Sequence, residues 1–203
     1  MIQIRFDGRS LEKLPLSPAA PDSRVVRPSI ECPRRYSGGV KNLPLRQRPI
    51  DIVFAVFFTL FIVTSCIADM LPTLGIDFSQ PTGQFLVDSN YWYAHDADPL
   101  FMNPPFWMRI VTGLSAFVYM LFYLVLVPAL LRGWNWIQLP AVIYATMIAS
   151  LTGIVVFGVE FFGEPEFQTN APIKFLAFNL PYVLVPLLLL IRMRKPLPFT
   201  RKF

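Results

Sequence analysis

The sequence predicts an all-α integral membrane protein, a four-helix bundle with both termini on the cytosolic side. Of its 203 residues, 54% are hydrophobic and only 15% charged, a balance foreign to disordered chains and rare in water-soluble domains. The apolar residues gather in four blocks, each long enough to cross a bilayer as a helix. The basic residues lie mainly at the two ends of the chain: ten of the 18 Lys and Arg precede the first block, and Arg192, Arg194, Lys195, Arg201 and Lys202 follow the fourth. A net charge of +5 placed this way follows the positive-inside rule rather than a nucleic-acid surface, and nucleic acid is excluded as a partner.

Residues 1–48 form a proline-rich basic tail with Pro15, Pro18, Pro21, Pro28, Pro33 and Pro44, a composition that favours extended or loosely ordered chain. Ile2, Ile4 and Phe6 alternate with polar residues before Asp7-Gly8, which predicts a short β-hairpin over 2–14 that needs a surface to lie on. The tail lacks the apolar core of a signal peptide, and Asp7, Glu12, Asp22 and Glu31 argue against a mitochondrial presequence. The only cysteines, Cys32 and Cys66, have no metal-ligand neighbours, so neither a disulfide framework nor a metal site is expected.

The membrane domain is expected over 49–193, with spans at 50–68, 106–131, 137–162 and 172–191, followed by a basic tail at 194–203. At about 1.5 Å per residue each block covers the roughly 30 Å hydrocarbon core. None alternates with the period of two that a membrane strand requires. The acids Asp77, Asp88, Asp96, Asp98, Glu160, Glu164 and Glu166 then collect on the side opposite the termini. The loop at 71–105 is long for a compact bundle, and its run YWYAHDADPLFMNPPFW, with a proline pair and several aromatics, predicts a packed re-entrant segment.

Ionisable groups in a span are costly, which singles out Asp69 at the outer end of the first helix, either as a helix-end cap or as a ligand group. In the fourth span FNLPYVLVP places Asn179 and Tyr182 on one face, while Pro181 and Pro186 free the carbonyls of Ala177 and Tyr182. These groups can line a cavity or bond neighbouring helices. Pro140 and Tyr144 extend the pattern in the third span. His95, the lone histidine, sits in the external loop and reads as incidental. No Gly-rich phosphate loop, metal-ligand cluster or nucleophile elbow appears, so no soluble enzyme class, cofactor or metal is predicted.

Four strings, RPIDIVFAVFFTLFIVTSCIADM, WYAHDADPLFMNPPFW, WIQLPAVIY and FNLPYVLVPLLLLIRM, taken in this order and spacing, resemble the EXPERA family, and within it the sigma-2 receptor branch more than the emopamil-binding branch. The resemblance covers residues 48–193 and implies a four-span bundle. It implies that Asp69 faces the amine of a ligand and that Asp98 is its hydrogen-bonded partner, the two sharing one proton and holding about one negative charge. Asn179 and Tyr182 match pocket-closing positions, where aromatic faces stabilise cations.

The resemblance also has a gap. Where the family's sterol isomerases carry a histidine one turn before the first-helix acid and a glutamate in the second span, this chain has Ser65 and Ser115. No catalytic residue is therefore assigned. The expectation is a protein of the endoplasmic reticulum membrane that binds a sterol or related lipid, and amphiphilic amines, at Asp69, Asp98, Asn179, Tyr182 and Tyr144. Two alternatives stand beside it: a structural or assembly subunit whose tail meets a protein partner, and a sterol Δ8-Δ7 isomerase. A homodimer fits either, and the mitochondrial inner membrane or a bacterial inner membrane are the alternative locations.

Overall fold

A computed structural model of the chain describes residues 40–202. The hairpin expected over 2–14 and most of the 1–48 tail lie outside the described residues. Four long apolar helices run over Pro49–Leu74, Phe106–Arg132, Asn135–Phe162 and Pro172–Arg192, here spans one to four. No more than 33% of the most apolar stretch of any span is buried, and Leu60, Leu121, Ile154 and Leu188 point outwards from the four spans. An apolar exterior of this size is the surface of a protein solvated by lipid.

Span one packs along span two and span three along span four. Between them lies a core rich in aromatics, in which Phe58 and Phe61 meet Tyr123, Tyr144 and Leu189. The hydroxyls of Tyr123 and Tyr144 bond each other at 3.0 Å, which satisfies both polar tips inside an apolar layer.

Span one is longer than the expected 50–68. It continues through Asp69 to Leu74, where Gly75 adopts φ +69° and the Ile76 N–H closes on the Leu71 carbonyl, the left-handed ending that glycine alone makes without strain. Asp69 is therefore not a helix-end cap; it lies within the helix. Gly133, at φ +72°, ends span two in the same way.

The loop after span one is ordered, as its aromatics predict, and holds a helix over Phe85–Ala97 followed by a short one over Pro99–Met102. Asp98 caps the second, its carboxylate accepting the Phe101 N–H at 2.8 Å, and Pro99 occupies the first helical position. An acid before a proline suits that junction, because the cap bonds a free N–H and proline has none to lose. A second core under this loop joins Phe78, Ala94, Leu100 and Phe101 to Val156 and Phe175.

At the opposite end, residues flanking the bundle are tied to it. Val40–Asn42 pairs antiparallel with Thr200–Lys202, Lys41 facing Arg201. Asp51, fully buried, accepts from Arg48 at 2.7 Å and from Arg192 at 2.9 and 3.0 Å, and the ring of Phe199 lies about 5 Å from both guanidinium groups.

Candidate functional site

A cavity of about 360 Å³ opens between the spans beneath the loop helices. Every span departs from regular α-helix at its level. Spans one, two and three each contain a π-turn, over Ser65–Asp69, Leu114–Tyr119 and Leu151–Val156, and span four breaks between Asn179 and Pro181. Each of these segments contributes lining residues: Asp69, Ser115 and Tyr119, Thr152, and Asn179. A π-turn turns side chains out of the regular ridge and leaves room beside the helix, which is why such turns gather at binding sites.

Asp69 accepts from the Ser115 hydroxyl at 2.6 Å, and Ser115 lies 3.4 Å from Ser65. The two serines that stand in the isomerase positions thus meet at this acid. No basic side chain forms an ion pair with Asp69 among the described residues.

Asp98 is buried. Its carboxylate accepts from the Tyr93 hydroxyl at 2.6 Å besides the Phe101 N–H, and the carboxyl of Glu160 faces it from span three. Burial pushes the Asp98 carboxyl above the usual carboxylate range, and burial likewise raises the Tyr93 phenol. No direct Asp69–Asp98 hydrogen bond, as implied by the resemblance, forms among the described residues: Asp69 bonds the Ser115 hydroxyl, and the acid facing Asp98 is Glu160. Asp69 and Asp98 still line one cavity.

Asn179 donates to the Tyr93 oxygen, which joins span four to the loop helix and, through Tyr93, to Asp98. Tyr182 stacks on Phe61 at 4.3 Å between ring centroids and bonds the hydroxyl of Thr64. Tyr144 does not reach the cavity. It sits in the aromatic core behind Tyr119, which packs edge-on against it at 5.2 Å and does line the space. His95 is exposed and bonds Asp96 at 2.8 Å, outside the site; that bond and Lys174 hold the Asp96 carboxyl below its usual range.

The sequence reading did not name Tyr119, Thr152, Tyr93 and Trp92 on the cavity wall, nor Glu160 behind it, as site residues. Glu160 is an ionisable group inside a span, so the rule that singled out Asp69 also applies to it. Tyr93 and Trp92 gave only the general signal of loop aromatics. No three acidic, histidine or cysteine side chains converge on a metal-sized site among the described residues.

Residues 85–193, which include Asp98, Glu160, Asn179 and Tyr182, match the model of the EXPERA (EXPanded EBP superfamily) family. The chain belongs to the EXPERA family. This EXPERA protein is 30% identical over 155 residues to the sigma intracellular receptor 2 of Xenopus tropicalis, an alignment covering 72% of this chain and 88% of that relative. It is a multi-pass membrane protein of the sigma-2 branch, and the family-model segment runs from the loop helix through span four, whereas Asp69 lies outside it.

Proposed function

We propose that this protein is an intramembrane receptor that holds a sterol or related lipid in the cavity and also accepts amphiphilic amines, with Asp69 as the counter-ion for an ammonium group. The observation that carries the reading is Asp69 itself: a carboxyl on the wall of a largely apolar cavity, bonded to serine hydroxyls and paired with no cation among the described residues. Such a group is retained at a cost unless something charged visits it. Apolar walls supply roughly 25 cal/mol per Å² of hydrocarbon buried, and the carboxylate returns part of the solvation an ammonium loses.

The sigma-2 relative's name, which describes an intracellular receptor, supports placement in an intracellular membrane, which we read as that of the endoplasmic reticulum. Arg48, Arg132 and Arg194 flank the spans at the end where Val40–Asn42 and Thr200–Lys202 pair, which supports a cytosolic location for both termini.

A paired titration tests the reading. Asp69→Asn keeps the size and hydrogen bonding of the side chain while removing its charge. Amine affinity should fall about ten- to a hundred-fold, corresponding to an ion pair of about 1.4 to 3 kcal/mol, and affinity for a neutral sterol should change little. Equal losses for both ligands would assign Asp69 a shaping role, and unchanged affinity for both would place the site elsewhere.

A further inference from the structure

Glu160 is fully buried near the outer end of span three, does not line the cavity, and has no part in the binding reading above. Its Oε1 accepts the Leu100 N–H at 3.3 Å, while its Oε2 has no donor among the described residues. The group facing it is the Asp98 carboxyl, and neither acid forms a salt bridge among the described residues. Two bare carboxylates do not persist face to face in an apolar interior, so the pair must hold a proton.

Counting donors shows where that proton resides. Asp98 already accepts two short bonds, from the Tyr93 hydroxyl at 2.6 Å and the Phe101 N–H at 2.8 Å, and bonds of this kind favour the charged form of an acid. Glu160 accepts one long bond. A proton on Oε2 of Glu160 satisfies that oxygen and gives Asp98 a third donor, whereas a proton on Asp98 would leave the better-solvated acid neutral.

We propose that Glu160 is a neutral, proton-holding positioning residue whose O–H donates to Asp98 and ties the roof of the cavity, the helices Phe85–Ala97 and Pro99–Met102, to span three. A second tie runs beside it: Thr169 donates its N–H to the Glu160 carbonyl at 3.1 Å and its hydroxyl to the Ala97 carbonyl at 2.7 Å. From Asp98 the order passes through Tyr93 to Asn179 on span four, so one proton on span three positions three residues of the cavity wall. The inference rests on the reading of this cavity as the ligand site.

The ionisable groups around the pair are Tyr93 on the roof helix and Asp69 across the cavity on span one. Lys174 on span four and His95 both engage Asp96 on the outer surface. Among the described residues no cation is therefore placed to compensate a second negative charge. Raising the pH until Glu160 ionises sets two like charges against each other and loosens the roof, so ligand affinity is retained at lower pH and lost as pH rises.

The test uses the full-length protein in detergent or nanodiscs with two probes that do not titrate, a neutral sterol and a quaternary ammonium amphiphile. Wild-type affinity for both should fall about tenfold or more across the alkaline limb. In Glu160→Gln an amide N–H replaces the carboxyl O–H, so neutral-pH affinity should stay within about threefold of wild type and the alkaline fall should vanish. Glu160→Leu, without a donor, should lose about tenfold or more already at neutral pH. In the ligand-free protein, the infrared difference between wild type and Glu160→Gln at neutral pH should contain the carbonyl stretch of a protonated carboxylic acid. That readout is independent of any ligand, and it remains decisive if Glu160→Leu fails to fold. Absence of the band, or an alkaline fall that persists unchanged in Glu160→Gln, would overturn the proposal. The band together with no binding of either probe to wild type would uphold the proton on Glu160 and overturn the ligand reading.

Discussion

The hydroxyl of Ser115 on span two donates to the carboxylate of Asp69 on span one at 2.6 Å. The π-turns at Ser65–Asp69 and Leu114–Tyr119 bring these two side chains to the same depth of the bundle. Replacing Ser115 by alanine removes a hydrogen bond to a charged group, worth about 1.5 to 3 kcal/mol when the group is ionised. A cavity of about 360 Å³ has room for a water to take the place of the lost hydroxyl, so amine affinity should fall about three- to tenfold at neutral pH, less than in Asp69→Asn, with sterol affinity unchanged. Isothermal titration of the two ligands against the variant checks it.

Ser115 and its neighbour Ser65 bear on catalysis. Moving a sterol double bond requires one group to protonate a carbon and another to take a proton from its neighbour. Ser65 and Ser115 hold the positions assigned by the family resemblance to that work, and a serine hydroxyl is poorly matched to either task near neutral pH. Expressed in a cell that lacks its own isomerase, this chain is expected to yield no Δ7 product from Δ8-sterols. Growth rescue, or product detected by gas chromatography, would reverse that assignment.

Asp51 lies at the other end of the bundle, where it holds Arg48 and Arg192. Arg48 is 4% exposed, and its remaining bonds go to the carbonyls of Leu43, Leu130 and Leu131. Asp51→Ala leaves a buried guanidinium without a counter-charge, which costs about 3 to 5 kcal/mol. Thermal unfolding in detergent should show a markedly lower midpoint, while the fraction still folded should bind sterol and amine as wild type does. A loss of affinity without a loss of stability would instead connect this cluster to the cavity.

Tyr144 and Tyr93 separate packing from binding. Tyr144→Phe removes one partner of the Tyr123–Tyr144 hydroxyl pair in the core, so it should cost about 1 kcal/mol of stability and leave ligand affinity within about twofold. Tyr93→Phe removes the donor to Asp98 and the acceptor for Asn179 on the cavity wall, so it should weaken both ligands by about fivefold or more. Comparing the two variants by thermal unfolding and titration checks both halves.

The sequence by itself determined the four spans and the ordered loop, because crossing a bilayer requires some twenty apolar residues whose backbone bonds are satisfied within the helix, and that requirement is local and countable. It also singled out Asp69, Asn179 and Tyr182, since a polar group inside a span is costly enough to stand out, whereas Asp98 was named through the family resemblance. Only the tertiary structure decided how these residues are partnered. Span one ran past its apparent polar end to Gly75, because Asp69 found a hydroxyl partner, Ser115, on span two. Asp98 received Glu160, sixty-two positions along the chain, and Tyr144 fell into the core while Tyr119 took the cavity wall. Hydropathy averages over a window and carries no azimuth, and the π-turns that rotate one face of a helix relative to the next arise from packing between spans. Which acid meets which donor is thus a property of the assembled bundle.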